Sequence, residues 1–125
     1  MKYYNLHIDF EPSWKTYEKV THILQLEPMP HEKSKFEQSD EPGLWTYQIK
    51  ENEEEGNIDF INLFLNAIEP KFEQLQEIGI DKVNILFWLV YEYQHQCALG
   101  FDPQELSRLG ESGIPLNIDC HETKT

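Results

Sequence analysis

The stretch from Lys82 to Tyr93 constrains the fold more than any other part of this chain. Its centre, Val83-Asn84-Ile85-Leu86-Phe87-Trp88-Leu89-Val90-Tyr91, is almost wholly apolar, rich in β-branched and aromatic residues, and free of Gly and Pro. The run is too short to cross a bilayer, and its composition favours a strand over a helix. Apolar residues occupy odd and even positions alike, so strand alternation leaves no wet face. The stretch therefore reads as an interior strand, covered on both sides or by helices on one side and a partner on the other.

The remaining elements fall around it in sequence. Tyr4, Leu6, Ile8 and Phe10 alternate with more polar neighbours, which predicts a first strand over 3–10. Ser13 is placed to cap a helix bearing Trp14, Tyr17, Val20, Ile23 and Leu24, which must end before Pro28. Residues 27–43 hold Pro28, Pro30 and Pro42, lack any period, and read as a long surface loop. Trp45, Tyr47 and Ile49 mark a second strand over 44–50. Ile58, Ile61, Leu65, Ile68, Phe72 and Leu75 then form a helical seam, with a break expected at Pro70 and a stop at Gly79.

Beyond the central strand, Cys97–Phe101 reads as a short further strand. Asp102, Pro103 and Glu105 form a capping-box start for a helix that buries Leu106 and Leu109 and ends at Gly113. Ile114–His121 closes the chain as a strand with Leu116, Ile118 and Cys120 on one face, and 122–125 reads as a frayed tail. The expected order is β-α-β-α-β-β-α-β, ferredoxin-like in its last six elements. It implies one α+β domain over 1–125: a two-layer sandwich, mostly antiparallel, with helices on one face of the sheet.

Charge narrows the range of partners. The 125 residues carry 23 acidic and 10 basic side chains, a formal net charge of -13. Such a surface repels nucleic-acid phosphates and anionic lipid and favours a basic partner, although solubility alone also accounts for it. The run Glu51, Glu53, Glu54 and Glu55 is the first candidate for partner contact; equally, it is a solvated lead into the next helix. Two cysteines make no disulfide framework, and the N-terminus shows no signal-peptide pattern, so reduced thiols and a cytoplasmic location are expected.

No catalytic constellation emerges. His7, His22, His31, His95 and His121 fall at no ligand spacing. His95 with Cys97 and Cys120 with His121 would make a metal site only if the two stretches met, and alternation points Cys120 and His121 to opposite faces. There is no GxSxG, P-loop or GxGxxG. Asp9 and Asp119 would form a carboxylate pair only if the first and last strands were adjacent. Trp14, Trp45 and Trp88 all fall on faces read as core. No enzyme activity, metal or cofactor is expected.

The C-terminal third, Gly100-Phe101-Asp102-Pro103-Gln104-Glu105-Leu106, then Leu109, Gly113 and Pro115-Leu116-Asn117-Ile118-Asp119, resembles the ending of the bacterial domain-of-unknown-function family 4279. Leu24-Gln25-Leu26-Glu27-Pro28, Trp45 and Ile68-Glu69-Pro70 fit the same outline, whereas Asp102 stands in place of a usual Ser and Cys120-His121 in place of Ile-Tyr. The resemblance implies a bacterial α+β domain and brings no catalytic residues. Small acidic bacterial proteins of this kind resemble immunity proteins, which block a co-encoded toxin. A non-enzymatic protein that binds a basic partner is therefore the first expectation. The alternative is a small-molecule-binding module with loop 27–43 as its lid.

Overall fold

The computed structural model describes residues 1–32, 39–51 and 58–123 of the chain. They form an α+β fold: a four-stranded mixed sheet with helices on one face. Strand β1 (Lys2–Asp9) leads into α1 (Trp14–Leu24). Strand β2 (Leu44–Glu51) precedes α2 (Phe60–Ile68) and α3 (Phe72–Glu77); β3 (Ile85–Tyr93), α4 (Pro103–Ser112) and β4 (Leu116–Glu122) follow. The sheet order is β2-β1-β3-β4, with β1 antiparallel to both β2 and β3 and β4 parallel to β3. Helix α4 supplies the crossover that a parallel pair requires.

Strand β3 is interior, as its composition demands, but it starts three residues later than the apolar run. Lys82–Asn84 form a 3-10 turn in which the Asp81 carboxylate and the Asn84 amide cap each other's backbone, and Val83 is 90% exposed. Along β3, Ile85, Phe87, Leu89 and Tyr91 are buried under the helices, whereas Leu86, Trp88 and Val90 are only half-buried on the opposite face. Among the described residues no helix covers that second face. Its apolar groups lean on neighbours from adjacent strands: Trp88 lies 6.4 Å from the His7 ring, and the Lys50 ammonium sits 5.9 Å over the Tyr3 ring. Partial burial holds the His7 imidazole below its ordinary pKa, because a charged ring there loses hydration.

The helices meet the sheet through one core. Val20 and Leu24 of α1, and Phe60, Ile61, Phe64, Leu65 and Ile68 of α2, pack on Tyr4, Leu6, Ile8, Trp45, Phe87 and Leu89. The Ser13 hydroxyl caps α1 by accepting from the Thr16 N–H. The 58–75 seam breaks at Pro70 into α2 and α3 around a 3-10 turn, Glu69–Lys71, as a residue without an N–H requires. Gly79 and Gly113 take positive φ, 86° and 75°, at the ends of their helices.

Several expectations fail. Residues 97–101 run as irregular chain, so the order is β-α-β-α-α-β-α-β, with the 58–75 helix in two parts and the ferredoxin-like ending missing a strand. A five-residue stretch containing Gly100 and only two large apolar side chains has too little to pair. Trp14 is 44% exposed, stacked edge-on to Tyr17 and His31, and Trp88 is on the open face, leaving Trp45 alone of the three tryptophans in the core. Leu106 is 47% exposed because α4 turns Leu109 inward instead. Strand β4, an edge strand, leaves Ile118 and Cys120 exposed although they share the helix-side face with Phe87, Leu89 and Tyr91.

Candidate functional site

The N-termini of α2 and α4 converge beside β1, and a cavity of about 230 Å³ opens between them. Tyr4, Ile58, Phe60, Leu89, Leu99 and Phe101 form its apolar wall; Asp59, Asp102 and Glu105 supply its charge, and Gly100 completes the lining. Among the described residues no Lys, Arg or His lines it. Its aromatic wall is ordered by ring contacts. Tyr4 stacks on Phe60 at 4.7 Å between centroids, and Phe60 meets Phe101 edge-on at 6.3 Å.

The three carboxylates arrive by separate local routes. Asp59 caps α2, accepting from the Asn62 N–H at 3.1 Å and from the Asn62 side-chain amide at 2.6 Å. Asp102 occupies the N-cap of α4, yet its side chain makes no capping bond. The capping box expected at the start of α4 is therefore not formed. Burial, then the charges of Asp59 and Asp102, push the Glu105 pKa above its ordinary value. Each helix end contributes about +0.5 charge. Two such ends do not offset three carboxylates, so the cavity is net negative.

A second carboxylate feature lies behind Tyr4. Glu51 is 1% exposed at the end of β2; its Oε2 accepts the Tyr4 hydroxyl at 2.5 Å and the Ile58 N–H at 3.1 Å, and its Oε1 has no hydrogen-bond partner among the described residues. Burial and this bond to Glu51 raise the Tyr4 pKa strongly. Glu51 therefore does not belong to an exposed contact face, as read from the sequence, because β2 extends far enough to draw it under the α2 N-terminus. Glu53, Glu54 and Glu55 lie outside the described residues. On the far side, Arg108 of α4 donates to Asn62 at 2.6 Å and Asn66 at 2.9 Å on α2, fixing the two helices that frame the cavity.

The other sequence candidates fall elsewhere. Asp9 accepts from the Asn84 amide at one end of the sheet, whereas Asp119 pairs with Val90 on β4; β3 separates their strands, so no carboxylate pair forms. His121 faces Glu92 at 3.9 Å, away from Cys120. Among the described residues, no group of three or more His, Cys, Asp or Glu is placed to hold a metal ion. None of the described residues of loop 27–43 lines the cavity; Met29 instead donates its N–H to Thr46 along the outer edge of β2.

The sequence hid this site because every member has a local explanation. Asp102 and Glu105 read as a cap, Tyr4 as the buried face of a strand, Phe101 as strand. A faint signal was available in two aspartates, Asp59 and Asp102, each opening a helix one residue from an aromatic. Among the described residues no helix is long and apolar enough to cross a membrane. Comparison of the chain with protein-family models, with curated proteins and with solved structures finds no match.

Proposed function

We propose that this chain is a non-enzymatic binding module that captures a cationic side chain of a basic protein in the cavity between α2 and α4. The observation carrying the reading is the lining itself: among the described residues it holds three aromatic rings and three carboxylates and no basic residue. Ring faces attract ammonium and guanidinium groups, and the three carboxylates beside them complete the match in charge. A net charge of -13 favours encounter with a basic surface. An immunity-type protein of a bacterial cytoplasm, in which a basic toxin domain provides the cation, is one form of this reading. Glu53, Glu54 and Glu55 then belong to the approach and not to the cavity. In the small-molecule reading, the cavity between α2 and α4, and not loop 27–43, takes a free amine.

Glu105→Gln keeps the size and shape of the side chain while removing its charge. Because the Glu105 pKa is raised in the fold, the folded state takes up a proton more readily than the unfolded chain, and ionised Glu105 costs stability. That cost is absent below the ordinary value of 4.5 and complete above the raised value. E105Q is accordingly expected to raise the thermal midpoint at pH 7, with the gain vanishing below pH 4.5. The same variant should bind worse. Titrated with a lysine-rich heptapeptide, the wild-type chain should shift the amides of Leu99, Phe101 and Glu105, and D102N/E105Q should bind about tenfold or more weaker, a loss of ~1.4 kcal/mol or more. A fully acetylated peptide that binds equally well, or a double variant with unchanged affinity, contradicts the proposal. Binding of a free alkylamine without the peptide transfers the site to the small-molecule reading.

A further inference from the structure

Two cysteines 23 positions apart in the sequence meet at one edge of the fold. Cys97 lies on the irregular segment that leaves the end of β3, and Cys120 lies on β4, opposite Tyr91 in register. Their sulfurs are 3.0 Å apart and share a hydrogen bond, and both residues are exposed. A disulfide needs them about 1 Å closer, within reach of side-chain rotation on an irregular segment. We infer that Cys97 and Cys120 form an oxidant-driven intramolecular disulfide that tethers the segment after β3 to β4. This pairing does not depend on what occupies the cavity, but it acts on the cavity's frame, since Leu99, Gly100, Phe101 and Asp102 come just after Cys97 and Ala98 and line it.

With glutathione disulfide as oxidant, the exchange balances in two steps. The Cys97 thiolate attacks one glutathione sulfur, forming a mixed disulfide and releasing a glutathione thiolate. Cys120 then gives its proton to solvent, attacks the Cys97 sulfur and expels the second glutathione thiolate. Two protein thiols are oxidised, one glutathione disulfide is reduced, and the two released thiolates take up the two protons. The hydrogen bond with Cys97, then burial and the nearby Asp119 charge, push the Cys120 pKa up to about 11. Cys120 is therefore the sulfur that reacts second, once the mixed disulfide has consumed its hydrogen-bond partner.

The test is the full chain equilibrated in glutathione buffers of increasing oxidation, acid-quenched and weighed intact. The wild type should become about 2 Da lighter, with no glutathione adduct and no covalent dimer, and should revert with dithiothreitol. C97S and C120S should each stop at a single mixed disulfide under the same conditions. In the oxidised wild type, amide hydrogen exchange across 97–102 should slow several-fold, an effect absent from both variants. Accumulation of glutathione adducts or linked dimers of the wild type overturns the pairing. So does a wild type that stays reduced where the single variants are fully glutathionylated. A disulfide that forms without slowing exchange across 97–102 overturns the tether.

Discussion

Phe87→Ala is expected to destabilise the domain by about 3–5 kcal/mol, the range for truncating a fully buried aromatic. Phe87 has no exposed surface, faces Leu6 across β1, and meets the Phe64 ring at 5.2 Å and 62°. Its ring is thus the point at which the interior strand and α2 touch. Against a total stability of roughly 5–15 kcal/mol for a domain, that loss should shift the urea midpoint far down with little change in slope. Trp88→Ala, one residue along the same strand but on the half-buried face, should cost markedly less. Equal losses at the two positions would contradict a core that lies on one side of the sheet only.

Tyr4→Phe should also cost more than its single lost oxygen suggests. The ring that stacks on Phe60 remains, but the buried Glu51 carboxylate loses one of the two donors it has among the described residues, the Ile58 N–H being the other, and none of them reaches its Oε1. Hydrogen bonds to charged groups contribute about 1.5–3 kcal/mol, and the loss should fall in that range. A double-mutant cycle over Tyr4→Phe and Glu51→Gln isolates the pair, and a coupling of similar size is expected. Coupling near zero would mean that the hydroxyl and carboxylate do not hold the β1–β2 end together.

How much of this was legible depended on whether a signal was local. The interior strand, the helix cap at Ser13, the break at Pro70 and the stops at Gly79 and Gly113 each follow from a few adjacent residues, and each is present. Alternation placed Tyr4, Leu6 and Ile8 inward for the same reason. What failed was anything that depended on who the neighbours are. Leu86, Trp88 and Val90 are as apolar as Ile85, Phe87 and Leu89, and composition alone does not reveal which of the two sets lies under the helices. Cys97 read as a strand residue because Gly100 was outweighed by Leu99 and Phe101. Those two side chains are instead recruited to a cavity wall by Phe60, some forty positions away. Glu51 was grouped with Glu53, Glu54 and Glu55 by proximity in the chain, although a hydroxyl from β1 and the α2 entry draw it inward.

The cavity's proposed preference for positive charge is the central claim, and a pair of isosteric probes tests it most directly. Choline and neohexanol, its neutral carbon isostere, have nearly the same shape and differ by one unit of charge. Followed through the amides of Phe60, Leu99, Phe101 and Glu105, choline should bind at least tenfold more tightly than neohexanol, a difference of ~1.4 kcal/mol or more. That preference should shrink in D102N/E105Q and weaken as salt screens the three carboxylates. Equal binding of the two probes, or a preference for neohexanol, would show that the cavity is an apolar cleft in which Asp59, Asp102 and Glu105 serve only their helices.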